Sequence, residues 1–400
     1  MGLEAPVLAD KYALYNGDSM DVLPQLPPAS VGLSVYSPPF GGLYNYSSSP
    51  KDMSNCRTYE EFFEHYEFLV REIHRLTVPG RMSAVHCMDC SAATINCSAS
   101  VQAHGGLIDF PGDIIRLHQR LGFSYHARFA IWKEPLRVAI RTRSKGLTHK
   151  QLVKDSTFSN NAGADYLLVF KKVGENPSPV AHPTGFASYA GERAIPEGLE
   201  EKFKGWTDQK TNKLSHWIWQ QYASSFWDDI RNSRVLPFRG AKDQDDEKHV
   251  HPLQLDVIER CVVMWSNPGD VVMTPFMGVG SEVYGAVVNG RKGIGVELKP
   301  SYFRQAVRNV EAAMRDWTDD PVQVGMFEAA EEDAALSGEV EEGAPRPPTS
   351  SRSSTAFSPE NSAPASSTTE TSAGARSTSR TTSTSAHGTP KRNSACRTRT

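Results

Sequence analysis

The chain has 400 residues, of which 39% are hydrophobic and 22% charged, and 43 Lys+Arg against 46 Asp+Glu leave a formal net charge of −3. This balance excludes a uniformly basic nucleic-acid binder but not local basic patches, and the modest apolar share predicts that part of the chain stays unfolded. No apolar run reaches the ~18 residues of a membrane span, no secretory signal is read at the N-terminus, and six scattered Cys predict a reducing, cytoplasmic compartment.

Tyr12–Tyr15 reads as a short strand ending in Asn16-Gly17-Asp18, and Val31–Tyr36 as a buried strand ending at Ser37-Pro38-Pro39-Phe40. Thr58 and Glu61 have capping-box spacing. Phe62, Phe63, Tyr66, Leu69, Val70, Ile73 and Leu76 follow at helical spacing, and Pro79-Gly80 reads as the stop of that helix. Met82–Met88 is the next strand, Asp113–Leu121 a helix closed by Gly122, and Phe123–Trp132 with Asp165–Lys171 a strand pair. Residues 174–215 carry little periodicity. Leu253–Trp265 reads as a helix, Asp270–Met273 as a strand, 282–289 as a helix, and Gly293–Glu297 as a strand. Ser301 is the expected cap of a last amphipathic helix reaching about Met314. Residues 316–343 hold ten acids and no Lys or Arg, an acidic linker. Residues 344–400 have no Leu, Ile, Val or Met and cannot offset their chain entropy.

Two local signals carry chemistry. Pro275-Phe276-Met277-Gly278-Val279-Gly280-Ser281 joins a strand to a helix, and the next strand ends in Glu297. Glycines there let backbone approach a ligand, and the acid can accept from ribose hydroxyls. Ser37-Pro38-Pro39-Phe40 offers a hydroxyl, carbonyls without competing N–H donors, and a ring. That set suits a flat heterocycle bearing an exocyclic NH2: the ring stacks on Phe40, and the amine donates to Ser37 and the Pro38 carbonyl.

Together these motifs resemble the amino-directed DNA methyltransferases, which methylate cytosine N4 or adenine N6 with S-adenosylmethionine. Their catalytic motif is Asp/Asn/Ser-Pro-Pro-aromatic, and their cofactor motif is Asp-Pro-Phe-x-Gly-x-Gly. Catalytic motif first and cofactor motif last is the family's β-type permutation, and the resemblance covers most of residues 10–312. It implies an α/β, Rossmann-like, circularly permuted fold. Residues 8–133 would form the catalytic half, 134–245 an inserted target-recognition region, 246–316 the cofactor half, and 317–400 the linker and disordered tail. It further implies that Asp18 accepts from the cofactor adenine amine and that His251-Pro252 closes over the methionine end. Phe276, Gly278, Gly280 and Ser281 would cup the cofactor, and Glu297 would hold its ribose. One position departs from the family: Thr274 stands where Asp is usual.

The implied partner is double-stranded DNA, from which the target base must be flipped; a homodimer is compatible, and with no nuclease motif visible a solitary modification enzyme of prokaryotic or phage origin is expected. Lys133, Arg137, Arg141, Arg143, Lys145, Lys150 and Lys154, with Glu134 the one acid among them, form the expected phosphate-contacting cluster. Trp217, Trp219, Tyr222, Phe226 and Trp227 read first as core and second as a stacking surface. Cys87-x-x-Cys90 is a single pair where a structural zinc site wants two, so no metal is expected and both read as buried thiols. His86 reads as a strand residue rather than a base. No Pro-Cys dipeptide occurs, which argues against cytosine C5 chemistry.

Overall fold

The computed structural model describes residues 4–39, 51–91, 106–136, 138, 147–159, 162–200, 211–241 and 252–318. All of them fall in one compact unit, Met1–Val340. The expected tail lies outside the described residues. In chain order come β1 (Val7–Leu8), β2 (Tyr12–Asn16), α1 (Ser19–Val22), β3 (Val31–Tyr36), α2 (Tyr59–Leu76) and β4 (Thr77–Met88). Then follow β5 (Cys90–Ser91), β6 (Leu107–Ile108), α3 (Phe110–Arg120), β7 (Phe123–Ile131), α4 (His149–Lys154) and β8 (Asp165–Lys172). The chain continues through α5 (Lys213–Tyr222), β9 (Phe226–Trp227), α6 (Leu255–Trp265), β10 (Val271–Thr274), α7 (Ser281–Val288), β11 (Lys292–Glu297) and α8 (Pro300–Thr318).

Nine of these strands form one sheet in the order β1-β2-β11-β10-β3-β4-β8-β7-β9. The run β2-β11-β10-β3-β4 is parallel, and β8 joins antiparallel to both β4 and β7. All six residues of β3 are buried, as expected of a parallel strand covered on both faces. Val31 and Tyr36 pack toward α2 and α3, whereas Leu33 and Val35 pack toward α6. From β10 the chain crosses through α7 to β11 on one side, while β3 crosses through α2 to β4 on the other. The strand order therefore reverses between β10 and β3, and a crevice opens at the carboxyl ends of strands at such a point.

Helix α2 forms as its sequence predicts. Thr58 Oγ1 accepts from Glu61 N at 3.1 Å, and the Glu61 carboxylate turns back to Arg57 N. Phe62, Tyr66, Leu69, Val70, Ile73 and Leu76 make the buried face, each contributing about 1.5–3 kcal/mol of burial. Pro79-Gly80 is not the stop. The helix ends at Leu76, and Pro79-Gly80 lies inside β4, where the pairing with β3 shifts register. Gly80 has φ +76 there and a Cβ would meet Asn176 at 2.7 Å, so the glycine serves a bulge.

Ser301 is not a cap either. Helix α8 begins at Pro300, a first-turn position that needs no N–H, and the buried Ser301 hydroxyl has no partner among the described residues. Helix α3 starts at Phe110, earlier than the spacing suggests, because Asp109 caps it through Gly112 N at 2.8 Å. Among the described residues no helix is long and apolar enough to cross a membrane.

Candidate active site

A cavity of about 630 Å³ lies at the carboxyl ends of the central strands, within the size range of small-molecule sites. Gly17 and Asp18 reach it from β2, Ser37, Pro38 and Pro39 from β3, His86 and Met88 from β4. Pro275, Phe276 and Gly278 come from the turn after β10, and Glu297 from the end of β11. Both sequence motifs thus stand on one cavity. Pro252 and Ser281 also line it. Phe40 and His251 lie outside the described residues, as do Arg137, Arg141, Arg143 and Lys145.

The cofactor-motif turn is fixed by backbone bonds. Met277 N donates to Val296 O at 2.9 Å and Gly280 N to Met277 O at 2.8 Å. Ser19 Oγ donates to Pro275 O at 2.5 Å. The Glu297 carboxylate accepts from Gly278 N and Lys299 N, both at 2.8 Å. Burial pushes its carboxyl up to about 7, against those two N–H donors. Glu282, beside it on the cavity wall, is pushed by burial up to about 8. Asp18 caps α1 through Met20 N at 2.9 Å and faces Lys51 at 3.8 Å.

The two glycines of the turn differ. Gly278 has φ +54 and open space where a Cβ would stand, and it lines the cavity. Gly280 has φ +93 and a Cβ would sit 3.1 Å from Ala306 of α8. It serves the packing of the turn against α8, while Gly278 is the glycine that faces the cavity. Thr274 is set behind the wall: it is fully buried at the end of β10 and its Oγ1 lacks a partner among the described residues.

At the catalytic motif, Ser37 Oγ lies 3.1 Å from His86 Nδ1 and 3.2 Å from His86 O. His86 Nε2 lies 3.2 Å from Asp165 Oδ2, and Lys133 Nζ is 3.1 Å from the same oxygen. Beneath the motif the Tyr36 hydroxyl meets Tyr66 at 3.1 Å and His118 at 3.4 Å. Lys133 is buried in this ion pair, so it is not the surface phosphate contact that its place in a basic run suggests. Lys150 and Lys154 are exposed on α4.

His86, Asp165, Glu282 and Lys299 are cavity residues that sequence reading misses. The available signal was position: His86 near the carboxyl end of a parallel strand, and Asp165 at the start of the antiparallel strand beside it. The aromatic cluster splits. Trp227 and Tyr222 are core around the buried Arg260, whose guanidinium lies 4.9 Å from each ring, whereas Trp219 and Phe226 are exposed away from the cavity. Cys87 and Cys90 are buried thiols.

A family model described as DNA methylase, of the N6/N4 type, matches residues 31–308. The DNA adenine methyltransferase YhdJ of Escherichia coli K12 is 26% identical over 128 residues, covering 32% of this chain and 40% of that protein. The type II methyltransferase M.BglII of Bacillus subtilis is 23% identical over 293 residues, covering 72% of this chain and 66% of that one. M.BglI, also of Bacillus subtilis, is 23% identical over 336 residues, covering 75% and 86%. Among solved structures, the cytosine-N4-specific PvuII DNA methyltransferase aligns with a TM-score of 0.49 at 17% identity, covering 78% of this chain and 92% of that one. TTHA0409 of Thermus thermophilus, complexed with S-adenosyl-L-methionine, aligns at 0.48 and 24%, covering 75% and 93%. With the family match running through both motifs, the chain belongs to the N6/N4 amino-methyltransferase family of DNA methylases.

Proposed function

We propose that this protein transfers a methyl group from S-adenosylmethionine to the exocyclic amine of a base flipped out of duplex DNA, and that the base is cytosine, methylated at N4. The observation that carries the proposal is the meeting of the Ser-Pro-Pro motif and the Gly-x-Gly turn on one cavity at the strand-order reversal.

The cavity's chemistry fits the cofactor. Gly278 leaves open space for a ligand against the backbone, and Ser281 Oγ is buried there without a partner among the described residues. Glu297 keeps lone pairs for ribose hydroxyls, Asp18 for an adenine amine, and Phe276 supplies an apolar wall. When bound, S-adenosylmethionine supplies an electrophilic methyl on a sulfonium sulfur. The chain's own residues do the rest. Ser37 Oγ and the Pro38 carbonyl accept from the target amine, favouring the pyramidal nitrogen whose lone pair is free to attack. Phe40 stacks the base. Lys150 and Lys154, with Arg137, Arg141, Arg143 and Lys145, hold the phosphates. The choice of cytosine N4 rests on the neutral Ser that opens the motif, since the adenine version usually opens with Asp.

The test is transfer of tritiated methyl from S-adenosylmethionine to duplex DNA, run beside RNA and protein acceptors. The expected outcome is label in DNA alone. Cofactor binding by calorimetry accompanies it: duplex binding without any cofactor binding would instead identify a silent DNA-binding homologue.

A further inference from the structure

The chain of side chains behind Ser37 has no part in the roles above. Asp165, itself buried, presents Oδ2 to both His86 Nε2 and Lys133 Nζ. An ionised carboxylate can only accept, so neutral His86 carries its proton on Nε2 and leaves Nδ1 as an acceptor. The single Ser37 O–H then has two acceptors within reach, His86 Nδ1 at 3.1 Å and His86 O at 3.2 Å, both supplied by the same residue. With its proton given to His86, Ser37 Oγ keeps its lone pairs to accept from the cavity that it lines. Lys133 compensates the buried carboxylate and accepts no proton itself.

We propose that His86, held by Asp165 and Lys133, is a positioning residue that fixes Ser37 Oγ as an acceptor toward the substrate amine and takes up, through Ser37, the proton the amine sheds on methylation. This rests on the methyltransferase reading. As the amine nitrogen forms its bond to the methyl carbon, the carbon–sulfur bond breaks and its electron pair stays on sulfur. The nitrogen, now carrying the positive charge, gives one proton to Ser37 Oγ while the Ser37 hydroxyl proton passes to His86 Nδ1. The imidazolium that results lies against Asp165, and the net charge of the two products and the site equals that of the reactants and the site.

The same geometry sets a pH dependence. Protonated in advance, His86 Nδ1 becomes a donor to Ser37 Oγ, and the Ser37 proton must turn elsewhere: to His86 O, 3.2 Å away, or toward the amine. In either case the proton acceptor is lost. Among the described residues, the ionisable groups near His86 include Asp165 and Lys133 behind it, and Cys87 and Tyr166 on the same strand pair. Across the cavity stand Asp18, Lys51, Asp52, Glu61, His65, Glu282, Glu297 and Lys299.

The experiment is single-turnover methylation of duplex DNA, at saturating cofactor and DNA, across pH. Wild-type protein, His86→Asn and His86→Ala are compared. Asn keeps an acceptor oxygen near the Nδ1 position but cannot take a proton. The wild-type rate is expected to fall on the acid side; His86→Asn is expected to lose that acid limb and level off about 10²-fold below the wild-type plateau. His86→Ala falls further, with cofactor affinity unchanged in both. An unaltered acid limb in His86→Asn, or wild-type rates in His86→Ala, overturns the inference while leaving the methyltransferase reading standing. Wild-type protein that methylates nothing overturns both. A measurement free of variants is nitrogen NMR of labelled histidine in the wild-type protein: Nε2–H with bare Nδ1 at alkaline pH is expected, and the opposite tautomer contradicts the inference.

Discussion

The two sides of the cavity are built by different means. On the β10–β11 side the wall is mostly backbone: the turn from Pro275 to Ser281 is held by main-chain bonds, with Ser19 Oγ on Pro275 O and Asn309 Nδ2 on Val279 O, and the carboxylate of Glu297 is itself seated on two N–H groups. On the β3–β4–β8 side the wall is a row of side chains, from Ser37 through His86 and Asp165 to Lys133. A backbone cradle recognises shape and tolerates many side chains. A side-chain row places protons, and it fails when one member is exchanged. The first side therefore suits binding and the second suits chemistry, and substitutions on the two sides should separate affinity from rate.

The largest effect expected is on the side-chain row. Ser37→Ala should lower single-turnover methyl transfer by about 10²–10³-fold while melting temperature and cofactor affinity stay at wild-type values. A variant with wild-type turnover breaks the division. Next come the two glycines, which differ within one turn. Gly280→Ala should cost about 3 kcal/mol of stability, from a strained φ and the contact with Ala306. Gly278→Ala should cost about 1–2 kcal/mol and weaken cofactor binding in addition. Urea unfolding and calorimetry on both proteins read this directly, and equal losses in both measurements would erase the distinction between them.

Glu297 supplies a pH signature for the binding side. Burial holds its carboxyl up to about 7 in the free protein, and accepting from ribose hydroxyls favours the ionised form. Cofactor binding must then release a proton. Affinity should rise with pH and level off above about 7, falling by up to about tenfold per unit below it. Glu297→Gln should flatten that profile in calorimetry, with the saturated rate little changed. A profile unchanged in the variant removes Glu297 from the ribose role. The smallest effect belongs to the surface. Lys150→Ala and Lys154→Ala should each reduce the salt slope of DNA binding by about 1, and a slope equal to wild type would take α4 off the DNA.

The same division explains what a sequence reader sees. The Gly-x-Gly turn and Ser-Pro-Pro are contiguous, so their chemistry is legible from neighbours, as is α2 from its cap and its buried face. The row behind Ser37 is assembled from β3, β4, the end of β7 and β8, and comes together only across the sheet. His86 reads as a strand residue and is one; its role depends on Asp165, which stands diagonally across, opposite Met88 and two places from His86's own partner Leu167, because β8 runs antiparallel. Lys133 joins a basic run by sequence, yet its side chain turns inward to Asp165. Pro79-Gly80 carries the composition of a helix stop, and the register shift beside β3 uses it instead.

The central claim is that this cavity methylates an exocyclic amine, and nucleoside mass spectrometry tests it most directly. DNA incubated with the protein and S-adenosylmethionine is digested and its methylated nucleosides are identified. N4-methylcytosine is the predicted product; N6-methyladenine in its place would change the base and keep the chemistry, while 5-methylcytosine alone, or no methylated nucleoside at all, would contradict the account.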